Sequence, residues 1–153
     1  MPAAAKLSVL VVDDQLTMRS LVRSSLQQLG ISDVREYAGG AEALASLHAR
    51  PANVVISDFN MPGMDGIQFL QAIRAQPQYK SMAFILLTGR ADKDLVIRAV
   101  KAGANNYLVK PFTAAILKQK IEQVADAETP VDPSLRRRRL VSWFQAGTKP
   151  QQA

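Results

Sequence analysis

The chain has 153 residues, of which 48% are hydrophobic and 21% are charged, and this size and composition predict a single compact domain. It contains no cysteine and one histidine, His48, which excludes a disulfide scaffold, thiolate-bound zinc and sites built from several histidines. Its chemistry must therefore rest on carboxylates, hydroxyls, lysine and arginine. We expect a cytoplasmic protein, because the apolar runs are of strand length and the N-terminus lacks a signal-like pattern.

The net charge of +6 is concentrated towards the C-terminus. Residues 130–153 hold five Lys or Arg residues against Asp132 alone, whereas the rest of the chain is almost neutral. A basic end on a nearly neutral body predicts an anionic partner for that end, with simple solvated charge as the alternative.

Strand-like and helix-like patterns alternate from Lys6 to about Ala127. The apolar residues Leu7 and Val9–Val12 predict a strand that is buried on both faces. Apolar residues at helical spacing from Met18 to Leu29 predict the first helix, and Gly30 suits the left-handed position that closes it. Further along the chain, the same patterns predict strands at 34–38, 53–56, 83–87 and 107–109 and helices at 41–48, from Ile67 to about Gln76, at 91–102 and after Thr113.

Five strand-helix units with short connections predict a doubly wound α/β fold, a five-stranded parallel sheet with helices on both faces. In such sheets, ligands bind beyond the carboxyl ends of the strands. The polar residues predicted to lie at that edge are Asp13, Asp14, Asp58, Thr88 and Lys110. Two prolines between Thr129 and Pro133 prevent the last helix from continuing, so we predict a domain over 6–127 and a linker and tail over 128–153.

Three carboxylates at one sheet edge predict a divalent cation site, because the acids repel one another without a counter-charge. Mg²⁺ suits such a cluster, since it prefers oxygen ligands and keeps several waters. A helix-capping or solvated role is the usual alternative for one Asp, but it explains poorly three acids beside Thr88 and Lys110. Asp58 stands alone at its strand end, so we predict that it accepts a phosphoryl group while Asp13 and Asp14 hold the metal. No glycine-rich phosphate loop is present, which implies an external phosphodonor.

Four motifs resemble the receiver domain of bacterial response regulators, in particular the CheY-like single-domain type: Val11–Asp14, Ser57–Gly66, Leu87–Gly89 and Tyr107–Phe112. The resemblance covers about Lys6 to Ala125. It implies a flavodoxin-like strand order, 2-1-3-4-5. It also implies that Asp58 is the phosphoacceptor and that Asp14, Asp58 and the Asn60 backbone carbonyl bind Mg²⁺, with Asp13 assisting through water.

The same resemblance assigns roles to residues around the phosphoacceptor. Thr88 and Lys110 are expected to read the phosphoryl group, the Lys110–Pro111 bond is expected to be cis, and Tyr107 is expected to be an aromatic rotamer switch. On physical grounds alone, Tyr107 is more simply a partly buried residue of the sheet. Arg90 departs from the acidic residue found at this position in the chemotaxis prototype, so we expect altered phosphoryl turnover or binding of another anion.

The segment 135–144 does not belong to an ordinary receiver domain. Four consecutive arginines cannot share one helix face, whereas arginine binds phosphate bidentately, pairs with guanine and stacks on it. The segment resembles the arginine-rich extension of the CheY-like cyclic di-GMP effectors, the Cle group. This resemblance predicts cyclic di-GMP as the ligand of Arg136, Arg137, Arg138, Arg139 and Trp143. The alternatives are a solvated or protein-contacting tail, an anionic membrane and, least favoured, nucleic acid; we do not expect DNA binding.

Together these patterns predict a response-regulator signalling protein and not an enzyme. In the leading interpretation, it binds cyclic di-GMP through its tail and interacts with a target such as the flagellar motor switch to adjust motility. In the alternative, it is driven only by phosphorylation of Asp58 by a histidine kinase. A phosphatase with an aspartyl-phosphate intermediate also fits the acids, but the sequence shows no cap domain for a substrate.

Overall fold

A computed structural model describes residues 7–90 and 92–126. Within these residues strands and helices alternate: β1 Ser8–Val12, α1 Leu16–Gln28, β2 Asp33–Tyr37, α2 Gly40–Ala49, β3 Val54–Asp58, α3 Gly66–Arg74, β4 Ala83–Thr88, α4 Lys93–Ala102, β5 Asn106–Val109 and α5 Ala114–Asp126. A short 3₁₀ helix, Pro77–Tyr79, which the sequence patterns did not predict, precedes β4. The predicted linker and tail lie outside the described residues.

The five strands form one parallel sheet in the order β2-β1-β3-β4-β5, which confirms the doubly wound fold and the predicted strand order. The chain passes from β1 outward to β2 and then returns to place β3 on the other side of β1. In this topology, the carboxyl ends of β1 and β3 meet at the point where the strand order reverses, the usual position of a ligand site.

Each face of the sheet is covered by its own apolar core. Alternate residues of β1 point to opposite sides, so Val9 and Val11 belong to one core and Leu10 and Val12 to the other. Helices α1 and α5 cover the first core, and α2, α3 and α4 cover the second. Burial on both faces explains why the central strands are continuous apolar runs.

The helix ends follow the predicted signals in several places. Gly30 and Gly103 follow α1 and α4 with φ of 87° and 107°, and the Ile116 backbone N–H donates to the Thr113 hydroxyl at 3.2 Å at the start of α5. Helix α4 begins at Lys93 rather than Ala91, because the Asp92 side chain caps it by accepting a hydrogen bond from the Leu95 backbone N–H at 2.7 Å.

Strand β3 extends two residues beyond its predicted end at Ile56. Ser57 and Asp58 remain paired with β4, opposite Leu86 and Leu87, although their side chains are polar. Asp58 is therefore the last residue of a regular strand and not part of the following loop. None of the described helices combines the length and apolar character needed to cross a bilayer.

Candidate functional site

The sheet brings three of the predicted acids together. Asp13 follows β1 and Asp58 ends the adjacent strand β3, while Asp14 is the next residue after Asp13. Each of the three offers a carboxylate oxygen, and these oxygens all lie within 4.8 Å of one another. Asp13 is fully buried and Asp58 is 5% exposed, whereas Asp14 is open to solvent. The cluster thus consists of two buried carboxylates and one exposed carboxylate.

Lys110 joins this cluster from the end of β5. Its Nζ donates to Asp58 Oδ1 at 2.9 Å and to Asp13 Oδ2 at 3.3 Å. The backbone N–H of Lys110 donates to the Thr88 carbonyl at 2.8 Å, which fixes the lysine backbone against β4. The Lys110–Pro111 bond is cis, as expected. One ammonium group therefore bridges the two buried carboxylates.

The electrostatics of this group favour an additional positive charge. Burial raises the pKa of Asp58, and the nearby charge of Asp13 raises it further, although the hydrogen bond from Lys110 opposes both effects. Burial alone would lower the pKa of Lys110, but the hydrogen bond to Asp58 and the charges of both acids outweigh it, so that this pKa is raised. Lys110 consequently stays protonated, whereas the ionised form of Asp58 is disfavoured, an effect that a bound cation would oppose.

The donor set fits a hard divalent cation. All the ligand atoms are carboxylate oxygens, and Asp14 leaves the outer side of the cluster accessible to water. Asp13 has both oxygens engaged, because Oδ1 accepts the Gln15 backbone N–H at 2.9 Å and Oδ2 accepts Lys110. The assisting role of Asp13 stays a prediction. Asn60, whose carbonyl is the other predicted ligand, is exposed two residues beyond Asp58.

Thr88 and Tyr107 lie on the two strands next to this cluster, β4 and β5. The Thr88 hydroxyl is engaged with its own loop: it donates to the Arg90 carbonyl at 2.8 Å and accepts the Arg90 backbone N–H at 3.1 Å. Tyr107 is 1% exposed, and its ring belongs to the core beneath α4. The structure thus shows a more deeply buried residue than expected on physical grounds alone, and the switch role stays a prediction.

The domain that carries this cluster matches a known protein family. Residues 9–122 match the model of the response regulator receiver domain. The chain belongs to this family. The matched region lies inside the predicted domain, 6–127, and leaves the arginine-rich tail outside it.

Individual relatives of this receiver are chemotaxis proteins. The probable chemotaxis protein CheY of Rhizobium etli is 48% identical over 127 residues, which cover 83% of this chain and 98% of that protein. The chemotaxis protein CheY of Pseudomonas aeruginosa is 42% identical over 118 residues, covering 77% of this chain and 95% of its own length. The solved structure of Vibrio cholerae CheY4 has a TM-score of 0.74 and 37% identity, over 77% of this chain and 98% of that one.

Beside the acids of the receiver, a cavity of about 650 Å³ opens between the loop after β3 and the first turns of α4. Phe59, Asn60, Thr88 and Arg90 line it, together with charged residues of α4. The position of Arg90, two residues after Thr88, predicts a cation near the phosphoacceptor site. The structure shows that its guanidinium also pairs with Asp92 at 2.9 Å while remaining 81% exposed.

Sequence reasoning missed two features of this cavity. Asp92, whose pKa is lowered by the hydrogen bond from Arg90 and then by the backbone N–H of Leu95, links the loop after β4 to the start of α4. An Asp directly before an amphipathic stretch is a usual capping signal, so this role was detectable. The Arg98 guanidinium lies 5.8 Å from the centre of the Phe59 ring, a pairing for which no short-range sequence signal exists.

Proposed function

We propose that this receiver is a CheY-like response regulator of chemotaxis signalling that accepts a phosphoryl group on Asp58. The observation that carries the proposal is the position of Asp58, a nearly buried carboxylate that accepts a hydrogen bond from Lys110 and lies within 4.8 Å of two further carboxylates. The names of the relatives from Rhizobium etli and Pseudomonas aeruginosa support the chemotaxis setting.

The proposed chemistry is transfer of a phosphoryl group from an external donor. A carboxylate oxygen of Asp58 forms a bond to phosphorus, and the bond from phosphorus to the donor's leaving group breaks, with the electron pair departing on that group. Lys110 stays protonated and stabilises charge on the phosphoryl oxygens. Asp14, Asp58 and the Asn60 carbonyl, with help from Asp13, would hold a Mg²⁺ ion, which would supply further positive charge for the phosphoryl oxygens. A histidine kinase is the proposed physiological donor.

The response to phosphorylation involves the two neighbouring strands. The Thr88 hydroxyl must leave the Arg90 backbone before it can bind a phosphoryl oxygen. Tyr107 lies on the adjacent strand β5, opposite Leu86, two residues before Thr88. We propose that the change at Thr88 alters the position of the Tyr107 ring and so the surface offered to a target such as the flagellar motor switch.

The test is phosphorylation of the full chain by acetyl phosphate with Mg²⁺, followed by intact-mass measurement. We expect one phosphoryl group per chain, located on Asp58, and no labelling when the metal is chelated or in Asp58→Asn. Asp65→Asn is the matched control, because it changes the same functional group at the cap of α3 and leaves the site intact. Equal labelling of Asp58→Asn would contradict the proposal.

A second input is supported by the sequence of the tail, which combines Arg136, Arg137, Arg138 and Arg139 with Trp143, the one tryptophan of the chain. We propose that this segment binds cyclic di-GMP, with guanidinium groups on the phosphates and guanines and the indole as a stacking surface. The family match to residues 9–122 does not bear on this segment.

The fluorescence of Trp143 gives a direct test of this second input. Titration of the full chain with cyclic di-GMP is expected to change the fluorescence saturably at micromolar ligand, and Arg137→Gln with Arg138→Gln should weaken binding at least about tenfold. GTP, duplex DNA and anionic lipid vesicles serve as competing anions. A flat fluorescence trace together with no calorimetric heat would leave phosphorylation as the sole proposed input.

A further inference from the structure

Lys120 on α5 is directed inward against β5. Its Nζ lies 5.0 Å from the centre of the Tyr107 ring and donates to Asn106 Oδ1 at 3.3 Å. Loss of hydration in this position lowers the pKa of Lys120. Most surface lysines extend their ammonium group into water, so the inward position of this group calls for an explanation.

The partners of Lys120 are neutral. In the described part of the chain, no ion pair includes Lys120. Two groups compensate the lost hydration of the Lys120 ammonium. One is the face of the Tyr107 ring, which carries partial negative charge, and the other is the amide oxygen of Asn106. The ammonium group and the ring therefore stabilise each other in the arrangement that keeps the ring buried.

Asn106 fixes the geometry of this contact. It is fully buried, its Oδ1 also accepts the Tyr107 backbone N–H at 2.8 Å, and its Nδ2 donates to Gln123 Oε1 at 2.9 Å. Lys120 and Gln123 lie one turn apart on the same face of α5. Both therefore contact β5, Gln123 at Asn106 and Lys120 at Asn106 and Tyr107. The network sets the amide orientation that points an oxygen towards Lys120.

We propose that Lys120 is a positioning residue that retains the Tyr107 ring inside the fold through its ammonium charge. A ring that swings outward loses the charge contact and leaves the ammonium with Asn106 as its remaining described partner. A neutral side chain at position 120 removes this preference for the inward ring. The charge at position 120 therefore sets how often Tyr107 leaves the interior before any phosphorylation occurs.

The significance of the ring position for signalling rests on the proposed function. The position itself can be measured without phosphodonor or Mg²⁺. The full chain is labelled with 3-fluorotyrosine, which reports on Tyr37, Tyr79 and Tyr107 by ¹⁹F NMR, and Tyr107→Phe assigns the third signal. The variants are Lys120→Gln, Lys120→Met and Lys120→Arg. Lys118→Gln is the matched control, since Lys118 is exposed on the same helix and its replacement removes the same charge.

In Lys120→Gln and Lys120→Met, we expect the Tyr107 signal to move towards its position in the unfolded chain and its solvent isotope shift to increase at least twofold. Lys120→Arg should retain the wild-type signal, because a guanidinium group also stacks on an aromatic ring. Lys118→Gln should match the wild type. Unchanged Tyr37 and Tyr79 signals establish that a variant is folded.

Two outcomes would overturn the inference: a Tyr107 signal that is unchanged in the folded Lys120 variants, or an equal change in Lys118→Gln. If Lys120→Gln does not fold, Lys120→Met, which keeps a long apolar side chain, decides the question. Labelling by acetyl phosphate is measured separately on the same variants. Failure of Asp58 to accept phosphate would refute the proposed function while leaving the ring measurement valid.

Discussion

Replacing Lys110 with Met is expected to lower the free energy of unfolding of the metal-free protein by about 3 kcal/mol, because breaking a buried ion pair leaves an uncompensated charge. Two charges are affected here, since the Lys110 ammonium lies 2.9 Å from Asp58 Oδ1 and 3.3 Å from Asp13 Oδ2. Chemical denaturation in the presence of a chelator measures the change. Lys118→Met, on the exposed side of α5, should shift the free energy of unfolding by less than about 0.5 kcal/mol.

The same variant should respond more strongly to metal than the wild type. A divalent cation takes over the neutralisation of Asp13 and Asp58 that Lys110 provides, so saturating Mg²⁺ should raise the melting temperature of Lys110→Met by more than it raises that of the native chain. If metal-free Lys110→Met were as stable as the wild type, the bridge between the two acids would have no structural role.

The sign of the pH dependence follows from the direction of the pKa shifts. The pKa of Asp58 is raised above 3.8, so its ionised form is less favourable in the folded chain than in the unfolded chain. The raised pKa of Lys110 means that its stabilising contribution is present at neutral pH and is lost as the pH rises through that pKa. The destabilisation by Lys110→Met should therefore be largest near neutral pH and shrink as acid protonates Asp58. Denaturation repeated between about pH 7 and pH 4 checks this.

The fold was predictable because parallel strands buried on both faces leave a strong pattern. Leu7 and Val9–Val12 contribute side chains to both apolar cores, as the consecutive apolar residues at 9–12 predicted. The predicted end of β3, Ile56, lies two residues before the observed end because the last two residues of the strand are polar. Backbone pairing continues through Asp58, but Ser57 and Asp58 have no apolar side chain by which a sequence pattern could show it.

The candidate site was predictable as a set of residues but not as a network. The rule that ligands bind at the carboxyl ends of strands correctly grouped the three acids with Lys110. It did not predict which groups pair, because Lys110 is 97 positions from Asp13 and 52 from Asp58 in the chain. Lys120 was missed because a charged residue on an amphipathic helix is normally solvated. The roles assigned to Tyr107 and to the arginine-rich tail stay predictions.

Gly66, the first residue of α3, is expected to be intolerant of any side chain. A Cβ atom built at this position overlaps the Asp58 carbonyl oxygen and lies 2.8 Å from the Phe59 Cα and 2.9 Å from Leu86 Cδ1. The first two of these atoms belong to the backbone and cannot rotate away. The Gly66 backbone N–H also donates to the Phe59 carbonyl at 2.8 Å, which holds the helix against the end of β3. A methyl group must therefore displace either the start of α3 or the segment that carries Asp58, and we expect the latter to move.

We expect Gly66→Ala to lower the free energy of unfolding by about 2 kcal/mol, as overpacking commonly does, and to slow phosphorylation by acetyl phosphate at least about tenfold, because Asp58 is displaced from Lys110. Gly39→Ser is the control: position 39 has no atom within 4 Å of an added Cβ, and serine is a good residue for the cap of α2. Both quantities matter, since a loss of stability with normal labelling of the folded fraction would mean that the loop absorbs the methyl group without moving Asp58. Slow labelling of a chain that is still folded would instead show that the close approach of α3 to β3 determines where the phosphoacceptor lies.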